Sequence, residues 1–190
     1  ADGSITALDV EVHGEISTKD VSVFKLAALK GLFRDVVSER VSYVNAPVLA
    51  EQRGIEVRLI QDALAEGFRN VVTLRASTAT GGRISVSGTL TGPKQVQKLV
   101  EVNGFELEIP LTDFLLLFRY EDRPGVIGQL GQALGRNEVN IAGMQVSRNE
   151  AGGHALSVLA VDSPVSAEAV AAVAGAIGAS ESSAVVLTED

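Results

Sequence analysis

Residues 114–135 read FLLLFRYEDRPGVIGQLGQALG. An unbroken apolar run from Phe114 to Phe118 gives way through charged residues to Pro124-Gly125. Beyond it, Ile127, Leu130 and Leu134 recur at three- and four-residue intervals up to Gly135. Such a run followed by that spacing reads as a strand, Phe114 to Glu121, turning into a helix that Pro124-Gly125 opens.

Working outward, Val139 to Ser147 reads as a strand, Ala151-Gly152-Gly153 as a turn, and His154 to Val161 as the returning strand. Pro164 and Ser166 open an Ala-rich helix to about Ile177, and Ala184 to Leu187 makes a last strand. The order β-α-β-β-α-β is the ferredoxin-like unit. Helices on one side of four strands leave a bare face and long edges, so a second copy is the expected partner.

The preceding residues read as a mixed antiparallel sheet domain with a backing helix. Leu8, Val10 and Val12 alternate with polar residues, and Asp20 caps a helix whose Val21, Phe24, Ala28, Leu32 and Val36 recur at helical spacing. Asn45-Ala46-Pro47 opens a short helix, with Asn45 as cap, that stops at Gly54. Strands follow around Val57–Leu59, Val71–Arg75 and Arg83–Leu90, then a hairpin whose Asn103-Gly104 turn sets Val102 opposite Phe105. Four or five antiparallel strands are expected. The division falls at 1–112 and 113–190.

Composition bounds the function. The 190 residues carry a net charge of −8, split as −2 over 1–110 (12 basic, 14 acidic) and −6 over 111–190 (4 basic, 10 acidic). With that balance and 4% aromatics, no nucleic-acid partner is expected. Arginines beyond Arg123 stand isolated, so a cationic anion site belongs mainly to the first half. The five-residue apolar run is far short of the roughly 18–20 residues that span a bilayer, so no membrane partner is expected and no signal peptide is visible. A start at Ala1 without methionine is read as a processed or excised piece. Lack of cysteine excludes thiol catalysis and cysteine-ligated metals. His13 and His154 fall in different domains without motif neighbours, so no catalytic residue and no metal site is expected. Gly125, Gly128, Gly131 and Gly135 lack the G-x-G-x-x-G spacing and read as small residues for close helix packing on the sheet or on a neighbour.

The informative loop is Tyr120 to Gly125. A helix N-terminus offers backbone N–H groups to a carboxylate, Asp122 offers a partner for an ammonium group, and Tyr120 a hydroxyl. That combination suits a free amino acid. Equally, Asp122 can simply cap the helix.

Asp122-Arg123-Pro124-Gly125-Val126-Ile127, with Val139-Asn140-Ile141 downstream, resembles an ACT domain, a regulatory module that binds amino acids across a dimer interface. Residues 43–54 (YVNAPVLAEQRG), 87–93 (SGTLTGP) and 100–104 (VEVNG) resemble the intervening domain of long-form D-3-phosphoglycerate dehydrogenases. The resemblance covers nearly the whole chain. It implies a cytoplasmic regulatory C-terminal portion of an enzyme of L-serine biosynthesis that is not itself catalytic and holds no cofactor, with NAD and catalysis upstream. It further implies feedback binding of L-serine between two ACT domains of a homodimer or homotetramer: Tyr120, Asp122, Arg123, Pro124, Gly125, Val126 and Ile127 from one subunit and Asn140 from the other. A second anion site would use Lys94 and Lys98, although Pro110 and Ala160 stand where further family arginines align. Competing identities are the regulatory region of an iron–sulfur L-serine dehydratase, a non-binding oligomerisation module, and a small hydrolase or isomerase, which lacks an acid–base cluster.

Overall fold

The computed structural model describes residues 4–150 and 152–187. Ala1 and Ala151, the latter assigned above to a turn, lie outside them. The chain divides into two compact units, Ala1–Val96 and Gln97–Asp190.

In the first unit, β1 (Ile5–Gly14) leads through a single 3-10 turn (Glu15–Thr18) to α1 (Ser22–Phe33) and α2 (Ala46–Gln52). Then come β2 (Glu56–Asp62), β3 (Asn70–Thr78) and β4 (Arg83–Thr91). The strands lie in the order β2-β1-β3-β4. Alternation along β1 buries Leu8, Val10 and Val12 and turns Asp9 and Glu11 to the other face. There Asp9 accepts two bonds from Arg58, at 2.6 and 2.7 Å, and Glu11 one from Arg75 at 2.9 Å. Four or five antiparallel strands were expected within this mixed sheet; β1 and β2 run parallel instead. Two helices lie between them, and a crossover of that kind returns the chain in the same direction.

The helix faces also differ from expectation. Leu29 and Phe33 of α1 are buried against Leu8 and Val10, while Phe24, Ala28 and Leu32 are half-buried. Val36 lies past the helix end and is 66% exposed. Apolar residues occupy almost every side of this helix, so spacing alone does not single out the buried one. Val21, not Asp20, takes the N-cap position of α1 and no side chain caps the helix; Asp20 accepts the Ser22 N–H at 3.0 Å just before it. Asn45 does not cap α2; its Oδ1 accepts from the Ser42 N–H (2.7 Å) and hydroxyl (3.1 Å), tying the preceding loop together.

Apart from Val96, a hairpin of β5 (Val96–Val102) and β6 (Phe105–Pro110) opens the second unit, and in it Val102 pairs with Phe105. β7 (Phe114–Glu121), α3 (Val126–Arg136), β8 (Ile141–Arg148), β9 (His154–Val161), α4 (Ala167–Ile177) and β10 (Glu181–Val186) complete it. These last six elements realise the β-α-β-β-α-β order as a sheet β10-β7-β9-β8. Leu116, Phe118, Tyr120 and Leu159 on one face form a core with Val126, Leu130 and Leu134 of α3 and Val170, Val173 and Ile177 of α4. Burying each large aliphatic side chain contributes about 1.5–3 kcal/mol. Ser166 starts α4 by accepting the Ala169 N–H at 3.2 Å.

The opposite face is not bare. Leu156, Val158 and Ala160 on β9 are buried, β6 lies against β8 and β9, and the Arg119 guanidinium stacks 6.0 Å from the centre of the Phe105 ring. The hairpin therefore covers apolar surface that the four strands alone would expose. The α3 glycines do not pack on this sheet either. A Cβ at Gly128, Gly131 or Gly135 meets nothing within 4 Å.

Candidate functional site

The β7–α3 loop is built from both ends. At its start the Tyr120 side chain turns inward and is almost wholly buried, its hydroxyl hydrogen-bonded to that of Ser157 at 2.8 Å. Burial pushes the phenol above its ordinary range, and the Ser157 hydrogen bond only partly offsets this. The Asp122 N–H donates to the Gly153 carbonyl at 2.8 Å, pinning the loop to the β8–β9 turn. Arg123 reaches across to the C-terminus of α4, donating from Nη2 to the Ile177 carbonyl at 3.1 Å. There a guanidinium meets both an orphan carbonyl and the negative end of the helix.

At the far end Gly125 takes the N-cap position of α3 with φ at 91°, and no side chain caps the helix. The capping role open to Asp122 is therefore not used. Pro124 has no N–H, and the Val126 N–H makes only a long 3.5 Å contact with the Arg123 carbonyl. Gly125 and Ile127 are exposed and Val126 is buried. The first turn thus presents backbone donors, at the positive end of an eleven-residue helix, beside a carboxylate that leaves them uncapped.

That carboxylate has a different partner. Arg148 Nη1 lies 3.4 Å from Asp122 Oδ2, with the Arg148 side chain 63% exposed and that of Asp122 27%. Arg148, the last residue of β8, stood isolated in sequence and was not among the site residues expected from it. Its signal was position. It ends an edge strand whose neighbour β9 returns beside the β7–α3 loop.

Asn140 is elsewhere. It precedes β8 and donates from Nδ2 to Asp162 Oδ2 at 2.5 Å, which leaves its carbonyl oxygen as an acceptor. Glu121 pairs with His154 at one end of β9 and Ile141 with Val161 at the other. Seven residue steps separate those ends, roughly 23 Å of strand. One chain does not bring Asn140 to Asp122.

Of the second-site residues, Lys98 is ion-paired with Glu108 across the β5–β6 hairpin, and Lys94 is exposed in the turn before β5. Pro110 stands opposite Lys98, and Ala160 is buried on β9. His13 contacts Glu11 at 3.3 Å, and His154 is exposed at the start of β9. Among the described residues no group of three or more His, Cys, Asp or Glu side chains is placed to hold a metal ion, and no helix is long and apolar enough to cross a membrane.

Residues 1–103 match the family described as the D-3-phosphoglycerate dehydrogenase intervening domain, and residues 114–178 match the ACT domain. Similar proteins include the D-3-phosphoglycerate dehydrogenase of Mycobacterium leprae, 37% identical over 92% of this chain and 33% of that protein. Those of Synechocystis (36%, over 87% of this chain and 30% of that protein) and Methanocaldococcus jannaschii (31%, over 89% and 32%) are also similar. The chain spans about a third of the length of these relatives. Since the intervening-domain match covers more than half of the residues and an ACT domain follows it, this chain belongs to the D-3-phosphoglycerate dehydrogenase intervening-domain family.

Proposed function

We propose that this chain is the effector-binding part of a D-3-phosphoglycerate dehydrogenase. On this reading it takes L-serine at a seam between two copies, and NAD-dependent oxidation of 3-phosphoglycerate lies outside these residues. The observation that carries the proposal is the uncapped N-terminus of α3 beside Asp122, whose carboxylate is free of any capping duty. Backbone N–H groups of Gly125 to Ile127 receive the ligand carboxylate, and Asp122 receives its ammonium group. Arg123 and Tyr120 hold the loop, one through α4 and the other through Ser157.

Asn140 joins the site only from a second copy, and the topology supports the route. β8 is an edge strand carrying Ile141 and Val146, 36% and 42% exposed. Two-fold antiparallel pairing of β8 with its copy sets the Ile141 end of one strand beside the Arg148 end of the other. On that arrangement Asn140 of the partner subunit would lie near Asp122. A ligand touching both chains favours one arrangement of the pair, and such coupling typically amounts to about 1–3 kcal/mol, enough to regulate an attached enzyme.

Isothermal titration of L-serine into the chain tests this. Saturable heat that Asp122→Ala abolishes is expected. Absence of heat from a dimeric sample identifies an oligomerisation module instead and overturns the proposal.

A further inference from the structure

Arg148 is the one charged side chain in contact with the Asp122 carboxylate among the described residues. The contact is a single one, Nη1 to Oδ2, and its 3.4 Å length exceeds the roughly 2.7–2.9 Å of a strong charge-assisted bond. With so much of the guanidinium in water, such a pair is held loosely. Meanwhile the backbone on both sides is fixed. Asp122 is anchored through its N–H to Gly153, and Arg148 stands in register with Ala155 on β9.

Two opposite charges held a few ångströms apart on a fixed frame, and only weakly joined, form a template for a zwitterion. We infer that Arg148 is a specificity-determining residue of the site: it releases Asp122 to the ammonium group of an α-amino acid and binds that ligand's carboxylate together with the α3 backbone donors. This deepens the proposed function and rests on it. The guanidinium has five N–H donors, so giving up one contact to Asp122 and gaining a planar carboxylate costs it little. The arrangement selects zwitterions over two close relatives. An amine without a carboxylate has to displace Arg148 from Asp122 and offers the guanidinium at most a neutral acceptor in return, without the charge or the two-oxygen fork of a carboxylate. A carboxylate without an amine leaves the pair intact and meets the Asp122 charge.

Titration calorimetry with two probes, L-serine and L-serinamide, tests the assignment on the wild-type chain and on Arg148→Gln. Because Arg148 is exposed at a strand end, the variant should keep the wild-type circular dichroism spectrum, and Arg148→Lys, which retains the charge, should restore part of the serine affinity. The expected result is a shift of opposite sign for the two probes: L-serine binds Arg148→Gln at least tenfold more weakly, while the cationic serinamide binds it more tightly than wild type. A purely structural role would weaken both together and so overturns the inference. Serine binding within twofold of wild type also overturns it, and leaves the amino-acid site standing. If wild type takes up no L-serine, the proposed function fails and the Arg148 assignment fails with it.

Discussion

Removing the Tyr120 hydroxyl should destabilise the second unit without abolishing effector binding. The hydroxyl is 2.8 Å from that of Ser157, with Tyr120 2% and Ser157 0% exposed. Tyr120→Phe leaves Ser157 as a buried hydroxyl with no replacement partner, which costs about 1–3 kcal/mol. Ser157→Ala does the same to the phenol. In the double variant neither orphan remains, so its loss should be no larger than that of either single change. For a domain of about 60–100 residues, 1 kcal/mol corresponds to roughly 4–8 °C of melting temperature. Hydrogen–deuterium exchange of the β9 amides, read by mass spectrometry, follows the opening of this unit separately from the first. Faster exchange in both single variants, largely reversed in the double, is expected. Fully additive losses, or no change in Tyr120→Phe, would refute the claim that this pair secures the root of the β7–α3 loop.

Two other outcomes follow from local geometry. Gly14 sits at φ 95°, and a Cβ there would come within 2.1 Å of the Arg69 carbonyl oxygen, so Gly14→Ala should lower the first unit's stability by at least about 1–3 kcal/mol in urea denaturation. On the alkaline side, the Tyr120 phenol titrates above its unfolded value of about 10 because burial disfavours the anion, so the unfolded chain loses its proton first. Stability is therefore insensitive to this group below pH ~10 and falls above it, and Tyr120→Phe should flatten that fall in denaturation curves.

What could be read from the sequence depended on how sharply the residues punctuate it. The bounds of β7 and β9 emerged residue for residue, because each is a dense apolar run closed by charge, proline or glycine. The buried face of α1 was not legible, since nearly every side of that helix is apolar and only packing against β1 selects Leu29 and Phe33. The direction of β2 was set by a crossover whose consequence is topological, not local. Asn45 stood at a capping position yet found nearer partners in Ser42. At the site, the Asp122 loop was legible from residue types, while the inward turn of Tyr120 and the approach of Arg148 needed the strand register, which places residues far apart in sequence side by side.

Mixing two defective chains tests the shared seam most directly. Asp122→Ala and Asn140→Ala should each lose L-serine binding alone. After the two are mixed and allowed to exchange subunits, half of the dimers are mixed pairs, and each has one intact site and one doubly altered site. Calorimetry should then recover about a quarter of the wild-type sites at near wild-type affinity, as two-fold symmetry requires. No recovered binding in a sample shown to contain mixed dimers would contradict an effector site assembled from two chains.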